Sequence, residues 1–161
     1  NTVIVFDLDE ALSFEGETGP YIQYAAVRAA RIFDKLSERL GADVSESLEA
    51  ALRGDASALT IDRDAIGERL QADDGQLWSL VLALGAYRGV LSQTASSLEI
   101  SSLARYGFTL AQHFSRFYHG YPILQADDED DRDLRVLVAY AFQRRLSAIL
   151  DLLGIPLPER M

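Results

Sequence analysis

The chain contains no cysteine, four prolines, and 15 basic residues of which only Lys35 is lysine. The missing cysteines exclude disulfide bonds and thiolate metal sites, and they suit a reducing cytoplasm. No apolar run approaches the ~20 residues that a membrane-spanning helix needs. No charged start followed by an apolar core and a cleavage site is present either. We therefore expect a cytoplasmic protein without membrane attachment.

Sequence signals of catalysis are also missing. The chain has no GxxxxGK[ST] phosphate loop, no GxGxxG turn and no GxSxG elbow. His113 and His119 are six residues apart on one predicted helix, so they face different ways and cannot form an i, i+4 metal pair. Glu15 and Glu17 flank Gly16 without an apolar pocket around them, which is typical of a solvated turn. We expect neither an active site nor a cofactor in this chain.

The size and composition of the chain indicate one globular domain. It has 161 residues, of which 48% are hydrophobic and 25% charged, and this is an ordinary globular balance. The net charge of −10 argues against nucleic-acid binding unless the charge is segregated. Part of it is concentrated in residues 127–131, a run of acids that we interpret as a solvated loop between helices.

Apolar spacing predicts an all-α chain: a bundle of about five or six helices behind an irregular N-terminal segment. We expect helices over about 20–40, 76–98, 103–121 and 133–153, with short helices at 45–53 and 62–72. Gly19-Pro20 is a helix-start signal, and Gly41 is a plausible stop. One seam of steps of four and three predicts nearly antiparallel packing, and it comprises Leu103, Gly107, Leu110, Phe114, Phe117 and Tyr121.

The first long helix carries a face of aromatic and basic residues. At about 100° per residue, these residues fall within an arc of roughly 80°: Tyr21, Tyr24, Arg28, Arg31, Lys35 and Arg39. Rings for unstacked bases and cations for phosphates are what single-stranded RNA requires. The alternative is an ordinary solvated flank, in which the basic side chains lie along the apolar stripe. Spacing by itself leaves both interpretations open.

Three segments resemble one known family. The first runs from Glu10 to Ala25 (EALSFEGETGPYIQYA) and includes Arg28; the second lies within 103–124; the third is the ending GIPLPERM, residues 154–161. Together they resemble the C-terminal anticodon-binding domain of arginyl-tRNA synthetases, including its junction with the catalytic domain. The resemblance implies that residues 1–18 are a remnant of that junction and that 19–161 form the helical anticodon-binding domain.

The resemblance also implies a function and a site. We expect the domain to bind the anticodon loop of arginine tRNA, while an upstream catalytic domain in cis uses ATP and Mg²⁺ to charge it. The HIGH-type and KMSK-type motifs of that catalytic domain are absent from this chain. The residues expected at the tRNA are Ser13, Phe14, Glu15, Gly16, Tyr21, Tyr24, Arg28, Arg31, Lys35, Phe117, Tyr118 and Met161.

Two departures from the family pattern keep alternatives open. Ala26 stands where the family usually has His, and Ser115 stands where it usually has Asn, so a polar side chain is shorter at each position. One alternative is the related bundle of a cysteinyl or glycyl synthetase, although the GPYIQY and PERM segments favour the arginyl enzyme. The other is a stand-alone helical protein-interaction module that has lost tRNA binding.

Overall fold

The computed structural model describes residues 18–41, 43–54, 63–72, 75–126 and 128–158. Within these ranges it contains seven helices and no strand, which confirms the all-α prediction. The helices are α1 Gly19–Leu40, α2 Ser45–Leu52, α3 Arg63–Ala72, α4 Gln76–Gly85, α5 Tyr87–Ser97, α6 Ile100–Gly120 and α7 Glu129–Leu152. The proposed boundary between residues 18 and 19 stays a prediction, because residues 1–17 lie outside the described ranges.

Local chemistry explains where α1 begins and ends. The Thr18 hydroxyl accepts a hydrogen bond from the Tyr21 backbone N–H at 3.3 Å, and Pro20 occupies the first turn, where its missing N–H costs nothing. At the other end Gly41 adopts φ +67° and its N–H donates to the Ser37 carbonyl at 2.9 Å. Glycine enters this left-handed conformation without the steric cost of a Cβ. The predicted start and stop of the helix are confirmed.

The core lies where α1, α6 and α7 meet. Phe114 of α6 stacks on Phe142 of α7 with ring centroids 3.9 Å apart, and both rings are fully buried. The helices approach closely because Gly107 has no side chain: a Cβ there would meet Ile149 Cγ2 at 3.1 Å. The seam predicted from sequence is buried on α6 except for Tyr121, which is partly covered.

The helix predicted over 76–98 is divided in the structure. It consists of α4 and α5, with Ala86 between them as a turn residue. Glycines at 85 and 89 weaken helix propensity on both sides of this break. Within α4, Leu77 and Leu80 enter the core, whereas Trp78 is 44% exposed.

Residues 128–131 of the acidic run are not the solvated loop that their composition predicted, and residue 127 lies outside the described ranges. Asp128 is the N-cap of α7, and its carboxylate accepts the Asp131 backbone N–H at 3.0 Å, while residues 129–131 form the first turn. Carboxylates are favourable there because the N-terminal end of a helix carries partial positive charge. Arg69 of α3 pairs with Asp128 at 3.0 Å, with Asp130 at 3.1 Å and with Asp131.

The weakly patterned stretch between α1 and α4 contains short helices, as predicted. They are α2 and α3; the start of α2 and the end of α3 agree with the prediction, and the other two boundaries differ from it by one residue. Leu48 anchors α2 in the core at 2% exposure, and the Tyr140 hydroxyl of α7 donates to Glu49 at 3.3 Å. None of the helices in the described ranges is long and apolar enough to cross a membrane.

Candidate nucleic-acid interface

Three cations of α1 lie side by side without acidic partners. Arg31 and Lys35 are exposed and Arg28 is half-buried. Among the residues that the structure describes, no carboxylate oxygen lies within 4.0 Å of any of the three. Their charge is therefore available to a phosphate group, although the chain as a whole is acidic.

The two tyrosines of α1 have different environments. Tyr24 is 45% exposed, so one side of its ring is accessible from solvent. Tyr21 is half-buried and packs on Phe108 of α6, with ring centroids 5.2 Å apart and planes at 52°. Tyr24 is therefore the ring that can receive an unstacked base, and Tyr21 also anchors α1 to α6.

Arg28 is held by aromatic rings from two helices. Its Cζ lies 3.9 Å from the centroid of the Tyr118 ring on α6 and 6.0 Å from that of Tyr24. A guanidinium over a ring face is attracted by the ring quadrupole and keeps its N–H donors free at its edge. We call Tyr24, Arg28, Arg31, Lys35 and Tyr118 the tyrosine–arginine face.

The prediction that Phe117 lies at the RNA needs correction. Its side chain is fully buried, between Phe114 at a centroid distance of 6.3 Å and Tyr121 at 5.4 Å. The ring therefore offers no surface to a base. Of the predicted aromatic pair, only Tyr118 reaches the surface, because successive helical residues point about 100° apart.

A groove runs beside the tyrosine–arginine face, between α1 and residues 121–125. Its volume is about 430 Å³, and its lining includes Arg28, Arg31 and Lys35 on one side and Tyr118 and residues 121–125 on the other. Sequence reasoning missed the segment after α6, because nothing in its spacing shows that it folds back onto α1.

A second, shallower hollow of about 280 Å³ lies beside the groove on α6, and His119 lines both. Tyr21, Gln112, Ser115, Arg116 and His119 line it. His119 Nδ1 lies 2.7 Å from the Ser115 carbonyl. Arg116 was not predicted as a site residue. Its position three residues from both His113 and His119 could have indicated a polar cluster on this helix, and the structure shows that Arg116 is exposed.

Several predicted site residues lie outside the described ranges: Ser13, Phe14, Glu15, Gly16 and Met161. The segment that leads toward the chain end is nevertheless fixed to α1, because Gln23 Nε2 donates to the Pro156 carbonyl at 2.7 Å. Of the two departures from the family pattern, Ala26 is fully buried and Ser115 is half-buried beside the shallower hollow.

The two histidines occupy different environments, as the spacing predicted. His113 is half-buried, and burial, followed by the nearby charge of Arg116, lowers its pKa below the usual value. His119 is exposed. Within the described ranges, no group of three or more His, Asp or Glu side chains is arranged to hold a metal ion.

Known proteins match almost the whole chain. It is 38% identical over 160 residues to an arginine–tRNA ligase of Maricaulis maris, covering 99% of this chain and 23% of the relative. It is 33% identical over 156 residues to an arginine–tRNA ligase of Lactococcus lactis, covering 97% and 23%. The solved arginyl-tRNA synthetase of Thermus thermophilus superposes with a TM-score of 0.71 at 31% identity, over 97% of this chain and 23% of that one.

The chain thus spans about a quarter of the length of these relatives. The sequence profile of the DALR anticodon binding domain matches residues 22–161, a range that contains all seven helices except the first turn of α1. With the profile, the relatives and the solved structure in agreement, the chain belongs to the DALR anticodon-binding domain family.

Proposed function

We propose that this chain binds the anticodon loop of arginine tRNA and forms part of a longer arginine–tRNA ligase. The family profile and the names of the relatives support this proposal. The observation that carries it is the tyrosine–arginine face, where Arg28 lies on the Tyr118 ring 3.9 Å from its centroid beside the exposed Tyr24. Ring and cation stand together on an otherwise acidic protein.

Each member of the face has a physical task in this proposal. The Tyr24 ring stacks on a base that has left the stack of the loop, an interaction of about 1–3 kcal/mol per base. Arg28 presents a flat guanidinium whose edge donates to a base edge or to a phosphate. Arg31 and Lys35 neutralise phosphates along the next turns of α1, so binding weakens as salt rises.

The chemistry of the ligase belongs, in this proposal, to the rest of the protein. An upstream catalytic domain in cis binds ATP and Mg²⁺, activates arginine and transfers it to the tRNA, and the ligase acts in the cytoplasm. The chain described here positions the tRNA, because a loop held at the anticodon orients the acceptor end toward the catalytic domain. No step that involves ATP or Mg²⁺ is assigned to its residues.

The proposal is tested by titrating this chain with the anticodon stem-loop of arginine tRNA at several salt concentrations. We expect saturable binding that weakens with salt, and weaker binding to a stem-loop with a replaced anticodon. Tyr24→Ala and Arg28→Ala should each lower the affinity about tenfold, since each removes one stacking or charge-assisted contact. Arg53→Ala is the matched control, because Arg53 is an exposed arginine beyond the end of α2.

Equal affinity for the native and the replaced anticodon at low salt would contradict the proposal, as would undiminished binding by both variants. The interaction-module alternative predicts no saturable binding of either stem-loop, by wild type or by the variants. Melting temperatures of all variants separate lost contacts from lost folding.

A further inference from the structure

The groove beside α1 has two walls of opposite chemistry. The α1 wall carries Arg31 and Lys35, neither of which has a carboxylate within 4.0 Å among the described residues. The facing wall is largely apolar, with Pro122 and Leu124, and Gln125 and His119 are the polar residues that also line it. Asp34 and Glu38 are exposed on the same helix but do not line the groove. The groove therefore offers an apolar surface opposite a pair of free cations.

The dimensions of the groove suit a small planar ligand. Its volume of about 430 Å³ falls within the ~300–1,000 Å³ that is usual for small-molecule sites. A single nucleotide combines a flat, largely apolar base with a doubly substituted phosphate, and these two parts match the two walls. A duplex does not fit, because stacking of neighbouring base pairs covers the faces of its bases.

The apolar wall is fixed from both sides. Arg39 of α1 donates from Nη1 to the Leu124 carbonyl at 2.8 Å, and Arg135 of α7 donates from Nη1 to the Pro122 carbonyl at 3.4 Å. Ile123 between them is 5% exposed and belongs to the core. The groove is therefore preformed, and a ligand does not have to order this segment when it binds.

We propose that this groove is a subsite for one unstacked nucleotide of the bound RNA, beyond the position at Tyr24. The base lies against Pro122 and Leu124, and its phosphate lies between Arg31 and Lys35. The inference rests on the proposed RNA binding and deepens it: the chain holds two separate bases along α1. Free AMP has the same chemistry, so the test has to distinguish it from a nucleotide of the RNA.

The test combines a protein variant that fills the groove with RNAs that lack one base. Leu124→Trp adds bulk without changing charge. Each nucleotide of the anticodon loop is replaced in turn by an abasic one, and affinities for wild type and variant are compared. Leu152→Trp is the matched control, because Leu152 is a 57% exposed leucine near the end of α7.

We expect one abasic position to weaken binding by wild type about tenfold, the usual scale for a lost base contact. The same replacement should have no effect on Leu124→Trp, which has already lost that contact, so the two changes are not additive. Leu152→Trp should respond like wild type. If Leu124→Trp does not fold, Gln125→Trp at the exposed rim of the groove gives the same comparison.

The salt dependence of binding tests the basic wall of the groove, which carries Arg31 and Lys35. Lys35→Met should lower the slope of log Kd against log salt by about 1, as the loss of one phosphate contact predicts. The slope of Leu124→Trp should fall by about the same amount, because the filled groove excludes the phosphate together with the base. An unchanged slope in both variants overturns the assignment.

The outcomes separate this inference from the proposed function. One outcome is that stem-loop binding depends on Tyr24 and Arg28, while the loss of affinity in Leu124→Trp adds to the loss at every abasic position. In that case the groove is not a subsite, but the proposed RNA binding stands. If no variant and no base affects binding, the proposed function itself fails. AMP binding in the groove without competition from the stem-loop overturns the RNA assignment and indicates a free nucleotide site.

Discussion

Arginine has two different roles in two parts of this molecule. On the tyrosine–arginine face, Arg28 lies on a tyrosine ring 3.9 Å away. Elsewhere, Arg69 forms ion pairs with Asp128, Asp130 and Asp131. We call these four residues the acidic clip. The first arrangement leaves the hydrogen-bond donors of the guanidinium available to a ligand. The second uses them to join α3 to the start of α7.

The difference shows why net charge misleads for this chain. Every ion pair among the described residues involves α2, α3, α7 or the residues that flank them, and none involves α1 or α6. Some of the acids that make the net charge −10 are thus paired with arginines of α3 and α7 and with Arg53, which follows α2. What decides the role of an arginine is its immediate partner, because Coulomb interactions between exposed groups are screened within about 10 Å.

The largest effect on RNA affinity is expected when a carboxylate is placed beside Arg28, as the aspartates of the acidic clip are placed beside Arg69. Tyr24→Glu places a carboxylate four residues before Arg28, the favourable order for a helical ion pair. It removes the ring, occupies the arginine and repels phosphate. We expect the affinity for the anticodon stem-loop to fall roughly a hundredfold, the upper range for a lost stacking contact. Isothermal titration would measure it.

Tyr24→Gln is the control, since it removes the ring without adding charge. Its loss should be about tenfold, within the range for one base contact. Equal losses in the two variants would show that the charge of Arg28 contributes nothing.

The next effect concerns two adjacent residues with opposite environments. Phe117→Leu should lower the free energy of unfolding by about 1–1.5 kcal/mol, the usual cost of an imperfect apolar replacement in a core. Its RNA affinity should stay at the wild-type value. Tyr118→Leu should mainly lower RNA affinity, because it removes the ring under Arg28 and touches only the edge of the core, where the Tyr118 ring lies 6.0 Å from that of Phe114. Urea unfolding and stem-loop titration on both variants test the pair.

Tyr118→Phe retains the ring face and should bind RNA like wild type. A loss of affinity in Phe117→Leu that is as large as that in Tyr118→Leu would restore Phe117 to the predicted site.

Within the clip, Arg69→Met is expected to lower the urea midpoint without changing RNA affinity. The variant leaves three carboxylates near one another at the start of α7, and their repulsion opposes the folded state. Arg53→Met is the control, because Arg53 is 69% exposed and its single pair spans 4.0 Å. A midpoint equal to that of the control would show that the clip contributes no stability.

The smallest effect is a pH dependence at Asp128. The Asp131 backbone N–H, together with Arg69, lowers the pKa of Asp128, so the folded state favours its charged form. This contribution is present above the unfolded pKa of about 3.9 and is lost as pH falls through the lower folded pKa. Asp128→Asn should be less stable than wild type at pH 7, where the charged carboxylate contributes, and the difference should shrink as the pH falls to 3. Urea midpoints at both values measure the difference, and parallel losses would contradict it.

The sequence predicted the elements whose ends and apolar faces depend on residues close together in the chain. The start of α1 at Gly19-Pro20, its stop at Gly41 and the seam from Leu103 to Tyr121 were all readable, because caps and apolar periodicity act within a few residues. The resemblance supplied the family, which the profile match over 22–161 confirms. Of the predicted site, Tyr24, Arg28, Arg31 and Lys35 share one face in the structure.

What the sequence could not show depends on distant partners. The acids at 127–131 looked like a loop because Arg69, which neutralises part of them, lies about 60 residues earlier in the chain. The contact between Arg28 and Tyr118 joins two helices, and no spacing within either one predicts it. Leu40 continues the apolar stripe of α1 but is 61% exposed, because the stripe extends beyond the neighbour that covers it.

Gly107 illustrates how far the interface depends on a hidden position. It lies eleven residues before Tyr118 on α6, which is about 16 Å along the helix, and a Cβ at this position would lie 3.1 Å from Ile149 Cγ2 of α7. A larger residue requires Ile149 or α6 to shift by a few tenths of an ångström. If the proposed tRNA binding holds, a substitution at this buried glycine, far from the tyrosine–arginine face, therefore acts on the position of the helix that carries Tyr118.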